Sequence, residues 1–284
     1  MTVHASSAVS NQLLHQARAT HRAVGRTFWL ASRLLPREVR DDTHRLYLVL
    51  RTLDDAVDHH DPTADRQLAD VESWALSGQV ASPTAALLDD LATRHPIERS
   101  VVLDFCQGMR DDQRHQVIAT EAELDTYCYR VAGTVGVLMT TMLGADDPLA
   151  ARAPAIALGQ AMQRTNILRD VDEDLENGRI YLAAESVAHF GSLYPGERAE
   201  LFRDQIARAD ALYDEGIAGI GELRSGRRAV VAAAAMYREI LRQIERDGLG
   251  ARAGRSVVPT ARKLTVALAA QRRATRAAES LAAQ

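Results

Sequence analysis

Two segments of the sequence place acidic side chains at helical spacing beside an arginine. In the first segment, Asp54 and Asp58 lie four residues apart. Arg51 precedes Asp54 by one helical turn, and Tyr47 precedes it by two. Residues three and four apart share one face of an α-helix, whereas Asp55 lies about 100° away and is the weaker candidate. The spacing predicts a helix that presents two carboxylates and a cation together.

The second segment runs from Gln163 to Asp174 without proline or glycine, so it is predicted to form one helix. Its polar stripe consists of Gln163, Asn166, Asp170 and Asp174, with Glu173 beside it. Apolar residues cover much of the remaining surface, which indicates burial. Carboxylates are costly to bury without a partner, and two of them one turn apart repel by roughly 0.2–0.5 kcal/mol even in solvent. A divalent cation would remove both penalties.

If the two acidic helices face each other, they form a cage of oxygen ligands with arginines at its rim. Oxygen donors favour Mg²⁺ or Ca²⁺, and Mg²⁺ typically binds through one or two carboxylates plus substrate phosphates. Arginine recognises phosphate through its planar fork. The pair of segments therefore predicts a metal-bridged diphosphate site. The alternative for either segment alone is a solvated acidic helix face.

A third segment, Tyr127–Gly136 (YCYRVAGTVG), has glycines inside a helical pattern. Each glycine costs roughly 1 kcal/mol against alanine in a helix, so a neighbouring helix or a ligand is expected to approach closely there. Close helix packing alone is the structural alternative. The stretch Gly108–Asp112 is interpreted more simply, as the end of a helix.

Helices must position all of these side chains, because prolines separate most of the helical patterns and β-branched alternation is nearly absent. The sequence predicts an all-α single domain over residues 1–284, with mobile ends near 1–12 and 275–284. Predicted helices span residues 10–24, 37–59, 63–77, 84–94, 97–110, 121–144, 151–176, 196–222, 226–247 and 259–281.

Composition narrows the class of protein further. The chain has 284 residues, 46% hydrophobic, and a net charge of −4 that gives no argument for nucleic-acid binding. Cys106 and Cys128 are expected to be core residues of a protein in a reducing cytoplasm. The N-terminal stretch does not have the pattern of a signal peptide, and no run of 18 apolar residues predicts a membrane span.

These segments together resemble the squalene and phytoene synthases of the trans-isoprenyl diphosphate synthase family. The specific matches are Arg51–Asp58, Tyr127–Gly136 and Gln163–Leu182, and the weaker matches are Thr27–Arg37 and Tyr237–Lys263. The resemblance implies a helical bundle of the isoprenoid synthase type with a central active-site cavity.

The resemblance also implies roles for individual residues. Catalytic roles fall to Tyr127, Asp54, Asp58, Asp170 and Asp174. Ligands for Mg²⁺, with Mn²⁺ as the alternative ion, would be Asp54, Asp58, Asn166, Asp170, Glu173 and Asp174. Substrate-binding residues would be Phe28, Arg33, Tyr47, Arg51, Val131, Val135, Gln163, Asn166, Arg169, Arg179, Tyr237, Arg255 and Lys263. The ring of Tyr127 would stabilise carbocations, and its hydroxyl would assist proton handling.

The implied reaction is the head-to-head (1′–1) condensation of two geranylgeranyl diphosphates to phytoene through a cyclopropylcarbinyl diphosphate. Relatives that use farnesyl diphosphate and make squalene, dehydrosqualene or presqualene diphosphate are the main alternative. Single-substrate terpene synthases and non-catalytic assembly proteins are two others. Squalene formation would also need NADPH, which is not expected here. No Gly-x-Gly-x-x-Gly follows a predicted strand, but the absence of that motif is not decisive in this family.

The resemblance also implies partners. The substrates are prenyl diphosphates, and the hydrocarbon product would leave towards lipid. Peripheral membrane contact and contact with a downstream pathway enzyme are therefore expected. The tail over residues 272–284 is amphipathic and basic at its start, which suits either membrane contact or packing on the bundle.

Overall fold

The computed structural model describes residues 15–20, 22 and 26–282, with the side chains of 26 and 277–282 left out. Twelve α-helices and no β-strand are found in this part of the chain, which confirms the predicted all-α class. The helices are α1 (Arg26–Ser32), α2 (Arg37–Asp58), α3 (Ala64–Ser77), α4 (Pro83–Ala92), α5 (Arg99–Arg114), α6 (Glu121–Cys128), α7 (Thr134–Leu143), α8 (Pro148–Glu176), α9 (Ala184–Phe190), α10 (Ala199–Ala218), α11 (Arg227–Arg246) and α12 (Thr260–Ala282).

The predicted helices agree with this order, with a few corrections. Most of the predicted helix 10–24 and the predicted mobile end 1–12 lie outside the described residues, although 15–20 are helical. Residues 275–282 continue α12, and the mobility predicted for this end stays a prediction. The short helices α1 and α9 were not among the predicted helices, because neither is long enough to show a clear apolar period.

Helix α8 begins at Pro148, three residues before the predicted start. The Asp147 side chain caps it by accepting hydrogen bonds from the backbone N–H groups of Leu149 (2.9 Å) and Ala150 (3.1 Å). Proline is well suited to the first helical position, where its missing N–H is not needed. The early start adds nearly a turn to the helix that carries the second acidic segment.

The prediction that a helix ends near Gly108 is wrong, because α5 continues to Arg114. A Cβ atom at Gly108 would lie 2.9 Å from the side chains of Arg130 and Val131. Glycine is required here by close packing against a neighbouring segment rather than by a helix end. As a consequence, Asp111 and Asp112 project from a continuous helix.

The predicted single helix 121–144 is interrupted by a π-helical turn over Tyr129–Gly133. The turn is held against α5, where Tyr129 Oη donates to Asp104 Oδ2 (2.6 Å) and Arg130 Nη1 donates to Asp111 Oδ2 (2.7 Å). Single π turns inside α-helices commonly occur at functional sites. This one separates α6 from α7 at the segment that the sequence singled out.

Helix α8 is the centre of the bundle and packs against α7, α10, α11 and the π turn. One hydrophobic cluster, which includes Leu46, Trp74 and Leu88, lies among α2–α5. A second, which includes Leu168 and Tyr213, lies between α8, α10 and α11. Cys106 is buried in the first cluster and Cys128 in the second, both as free thiols, as predicted. No helix of the described residues is long and apolar enough to cross a membrane.

Two glycines allow the π turn and α7 to lie almost directly on α8. A Cβ atom at Gly136 would lie 2.1 Å from the carbonyl oxygen of Ala155, and one at Gly159 would lie 2.2 Å from that of Ala132. Neither backbone can yield without moving a helix. The expected close approach of a neighbouring helix at the Tyr127–Gly136 segment is therefore found.

This packing predicts that Gly136→Ala and Gly159→Ala each lower the free energy of unfolding, by about 1–3 kcal/mol, because the added methyl group forces two helices apart. Denaturant titration followed by circular dichroism measures the change. Gly221→Ala is the matched control, since a Cβ atom there meets nothing within 4 Å. Equal stability of Gly136→Ala and Gly221→Ala would contradict the prediction.

Candidate active site

A cavity of about 520 Å³ lies among α2, α7, α8 and α11, between the two hydrophobic clusters. Its wall is mostly apolar or made of small residues, and polar side chains gather at one end. Predicted site residues that line it are Phe28, Tyr47, Arg51, Asp54, Val131, Val135, Gln163, Asn166, Arg169, Tyr237 and Arg255. A cavity with an apolar wall and a charged end suits an amphipathic ligand with an anionic head.

Helix α2 presents its acidic motif at the charged end. Arg51 Nη1 donates to Asp54 Oδ2 over 2.7 Å, and the same guanidinium pairs with Asp55. Tyr47 lines the cavity one turn earlier along the helix. Burial and then the negative charge of Asp58 raise the pKa of Asp54 to about 7. The ionised form of Asp54 is therefore disfavoured in this site, and a bound cation would stabilise it.

Helix α8 carries the second acidic motif to the same place. Arg169 Nε donates to Asp170 Oδ1 (2.8 Å), and Arg255 Nε lies 2.9 Å from the same oxygen. The Arg255 guanidinium also lies 3.9 Å from Glu173. Burial and then the charge of Asp170 raise the pKa of Asp174 to about 7. In both motifs, arginines pair with carboxylates, but the negative charge of the carboxylates is not fully neutralised.

The turn after α8 joins the two motifs. Gly178 adopts a positive φ of 71°, and the backbone N–H of Arg179 donates to the carbonyl oxygen of Asp174 (2.8 Å). This turn directs the Arg179 side chain to α2, where Nη1 donates to Asp58 Oδ1 over 3.1 Å. The two acidic helices therefore face each other, which is the condition on which the predicted metal-bridged diphosphate site depends.

Asp112 of α5 lies between the motifs, and it was not among the predicted site residues. Its carboxylate accepts hydrogen bonds from Tyr127 Oη (3.0 Å) and Tyr181 Oη (3.1 Å), whose rings stack 5.3 Å apart. Its negative charge also contributes to the raised pKa values of Asp54 and Asp174. The signal that could have found it is its position one turn after the closely packed Gly108.

Burial raises the pKa of Asp112 to about 6, despite the two tyrosine hydroxyls that favour its ionised form. Burial raises the pKa of Tyr127 well above its usual value, and the neighbouring Asp112 adds to that shift. Tyr127 is therefore a neutral phenol that donates a hydrogen bond to Asp112. Tyr127 is not among the residues that line the cavity, whereas Val131 and Val135 of the same segment are.

Two amides complete the stripe on α8. Asn166 Nδ2 donates to Gln163 Oε1 over 3.3 Å, and both residues line the cavity. Asn166 Oδ1 is buried and accepts no hydrogen bond from any residue that the structure describes. A buried acceptor without a donor is costly, so this oxygen is available to a bound cation.

The donor set fits a hard divalent cation. It consists of carboxylate and amide oxygens, it includes the buried acceptor of Asn166, and its acidic groups carry uncompensated charge. Within the described residues, no three His, Cys, Asp or Glu side chains surround one point by themselves. Because Mg²⁺ usually takes only one or two protein carboxylates and completes its shell with phosphate oxygens and water, this arrangement fits an ion that binds together with its substrate.

The remaining predicted residues lie around the cavity or outside it. Tyr237 packs against Phe28, with ring centroids 5.0 Å apart, and hydrogen-bonds Arg169. Lys263 Nζ donates to Thr27 Oγ1 over 3.0 Å, which joins α12 to α1. Arg33 is exposed and is not part of the cavity lining.

Taken together, the geometry provides an acidic end that holds cations, arginines that hold anions, and a deep apolar chamber next to both. Such a site can bind a diphosphate and assist its departure as a leaving group, because charge that develops on oxygen is neutralised there. The apolar wall excludes water from the carbon atoms left behind.

Sequence comparison gives the same result over most of the chain. Residues 21–262 match the squalene/phytoene synthase family. The phytoene synthase of Thermus thermophilus is 40% identical over 250 residues, which cover 82% of this chain and 84% of that protein. The 15-cis-phytoene synthase of Synechococcus elongatus is 34% identical over 276 residues, covering 88% and 89% of the two chains.

Solved structures show the same fold. A crystal structure of a dehydrosqualene synthase in complex with ligand superimposes with a TM-score of 0.86 at 25% identity, covering 94% of this chain and 98% of that one. The squalene synthase HpnC from Alicyclobacillus acidocaldarius superimposes with a TM-score of 0.75 at 24% identity. The family binds diphosphates with divalent metal and joins prenyl groups head to head. This chain belongs to the squalene/phytoene synthase family of prenyltransferases.

Proposed function

We propose that this protein condenses two C20 prenyl diphosphates head to head and forms phytoene. The observation that carries the proposal is a deep apolar cavity that ends at two facing acidic motifs with their arginines. The phytoene synthases of Thermus thermophilus and Synechococcus elongatus, to which the chain is similar over most of its length, support the choice of product.

The depth of the cavity supports the C20 substrate over the C15 substrate. Residues of α8 line it from Asn166 down to Ala151, a distance of roughly 22 Å at 1.5 Å per residue. At standard carbon–carbon geometry an extended geranylgeranyl chain is roughly 20 Å long and a farnesyl chain roughly 15 Å. Leu35, Leu143 and Leu223 close the far end.

Magnesium is the ion that the donor set supports best, and Mn²⁺ has similar ligand preferences. When bound, it would neutralise charge on the diphosphates and make them better leaving groups. Asp54, Asp58, Asp170 and Asp174 would hold it, with Asn166 Oδ1 and Glu173 as further donors.

The arginines bind and orient the two diphosphates. Arg51, Arg169 and Arg255 face the cavity from three different elements, and Arg179 lies beside Asp58. In the resting protein each pairs with an acidic residue, which holds its guanidinium in place before substrate arrives. Exchange of those partners for phosphate oxygens needs little rearrangement, because the planar forks are already oriented.

The carbon chemistry then takes place against the apolar wall. Loss of diphosphate from one substrate gives an allylic cation, which the 2,3 double bond of the second attacks; proton loss gives a cyclopropylcarbinyl diphosphate. Loss of the second diphosphate, rearrangement and a further proton loss give phytoene. Val131 and Val135 line the chamber and keep water from the cations. The neutral Tyr127 lies behind them, and its hydroxyl is directed to Asp112.

A very apolar product must reach a lipid phase, so the proposal includes peripheral contact with a membrane and transfer to a downstream enzyme. Val257, Leu264 and Leu268 are exposed near and along the first half of α12. Exposed apolar side chains of this kind suit a membrane surface. A cytoplasmic location, with the membrane contacted from that side, is part of the same proposal.

The first test is an incubation of the purified protein with Mg²⁺ and either geranylgeranyl or farnesyl diphosphate, followed by mass spectrometry. We expect a C40 hydrocarbon from the C20 substrate alone, without NADPH. A C30 product or presqualene diphosphate would move the enzyme to the squalene branch. A C15 or C20 hydrocarbon would indicate single-substrate chemistry, and binding without turnover would indicate an assembly protein.

The two acidic motifs give a second prediction. Asp54→Asn and Asp170→Asn should each lower kcat by ~100-fold or more, because each removes a carboxylate that would hold the cation which neutralises the departing diphosphate. Circular dichroism should show that both variants fold. Asp41→Asn is the matched control, since Asp41 lies on α2 but pairs with Arg18 on the surface. Normal turnover by either site variant with saturating Mg²⁺ would refute the assignment.

The depth of the cavity gives a third prediction. Ala151→Leu places a larger side chain at the buried deep end, so it should lower kcat/KM for the C20 substrate by about tenfold relative to the C15 substrate. Competition between the two substrates measures the ratio. Ala150→Leu is the control, because the neighbouring Ala150 is exposed on the same helix. An unchanged ratio in Ala151→Leu would show that this wall does not select chain length.

A further inference from the structure

Arg255 reaches the acidic motif from a loop that packs on the second hydrophobic cluster near its two ends, through Leu249 and Val258. Residues 247–259 join α11 to α12, and Gly248, Leu249, Gly250 and Gly254 all have positive φ angles. A second cavity of about 590 Å³ lies between this loop and α8, so the middle of the loop does not rest on the core. Glycine-rich backbone has many accessible conformations, and tertiary contacts must select this one.

One buried arginine provides two of those contacts. Arg198, at the start of α10, is only 2% exposed and uses all five of its N–H donors. Nε donates to the carbonyl oxygen of Gly250 (3.2 Å) and Nη2 to that of Arg252 (3.3 Å), and both acceptors lie in the loop. A third carbonyl bond reaches Leu193 (3.1 Å). The guanidinium therefore joins the loop to the body of the bundle.

The remaining two donors of Arg198 hold Asp172 of α8. Nη1 and Nη2 lie 2.7 Å from Oδ1 and Oδ2, the bidentate geometry of a strong charge-assisted pair. Asp172 Oδ2 also accepts a hydrogen bond from the backbone N–H of Gly254 (2.8 Å), the residue directly before Arg255.

The fit between the loop and Arg198 is close. A Cβ atom at Gly250 would lie 2.3 Å from Arg198 Nε, and the φ of Gly250 is 77°. The guanidinium also lies 5.0 Å from the centroid of the Phe202 ring. The loop therefore packs closely on Arg198 at Gly250, where a larger residue would force a shift.

Asp172 lies two residues after Asp170 on α8, which places it roughly 200° around the helix. Asp170 meets Arg255 in the active site, and Asp172 meets the backbone next to Arg255 from outside it. One turn of α8 therefore contacts both the side chain of Arg255 and the backbone that carries it.

We propose that Asp172 and Arg198 are positioning residues, which hold the loop 247–259 so that Arg255 reaches Asp170 and the diphosphate. The proposal rests on the function proposed above, in that it assigns Arg255 a diphosphate to bind. It predicts that loss of Asp172 acts on substrate binding through Arg255 and not through general stability.

The first test measures the loop itself. Asp172→Asn should accelerate amide hydrogen exchange across 247–259 by ~10-fold or more. The loop would lose the carboxylate that binds both Arg198 and the backbone N–H of Gly254, so it would open more often. Asp210→Asn is the matched control. Asp210 is 20% exposed against 15% for Asp172, and it also forms ion pairs with arginine, but its two partners, Arg238 and Arg242, belong to α11. Unchanged exchange in Asp172→Asn, or equal acceleration in both variants, would overturn the proposal.

The second test is a double-mutant cycle on kcat/KM for the prenyl diphosphate. Asp172→Asn should lower it by about tenfold through a higher KM in the native background, but by less than about twofold in the Arg255→Ala background, since coupled residues are not additive. Asp210→Asn should leave it unchanged. An equal loss in both backgrounds would show that Asp172 does not act through Arg255.

Two controls keep the outcomes distinct. If Asp172→Asn does not fold, Gly250→Ala disturbs the same contact from the loop side, and the same two measurements apply to it. If the native enzyme converts neither prenyl diphosphate, the proposed function fails, and the cycle is measured as binding of inorganic pyrophosphate with Mg²⁺ by calorimetry. The exchange comparison needs no turnover, so it decides the role of Asp172 in either case.

Discussion

Negative charge held in a confined space is the constraint on which this structure depends. Asp54, Asp112 and Asp174 come from three helices, and each has a pKa raised by burial and by its acidic neighbours. A protein gains no stability from such an arrangement, since buried carboxylates without full compensation oppose folding. The helices that carry them must therefore be held together by contacts elsewhere, and the acidic groups must be retained for what they bind.

Those contacts are apolar and lie on either side of the site. The first cluster holds α2 and α5 through residues such as Leu46 and Phe105, and the second holds α8 through residues such as Leu168 and Tyr213. Gly136 brings α7 against α8 where a larger residue would separate them. The cavity remains open between the clusters because its walls belong to helices that are each fixed from behind. Burial on the outer faces thus opposes the charge repulsion on the inner ones.

Local spacing predicted the parts of the site that one helix determines alone. Asp54 with Asp58, and Asp170 with Asp174, share a face because of helical geometry, and an arginine beside each motif indicated an anion. Asp112 was missed because its role depends on where α5 lies against the π turn, which a single pattern does not express. The start of α8 and the π turn were missed for a related reason: tertiary contacts set them more than apolar periodicity.

The acidic run of α8 shows how one helix separates two tasks. Asp170 and Asp172 are the same residue type two positions apart, yet helical geometry turns them to opposite sides. Asp170 shares Arg169 and Arg255 at the cavity, where its partners can exchange for phosphate, whereas Asp172 is held by a buried arginine that has no other donor to give. A residue whose partner is fully committed cannot take part in binding, and so it fixes structure instead. Asp170 and Asp172 are the same type of residue, so composition does not distinguish them. What distinguishes a binding carboxylate from a structural one here is whether its arginine partner is committed to other hydrogen bonds.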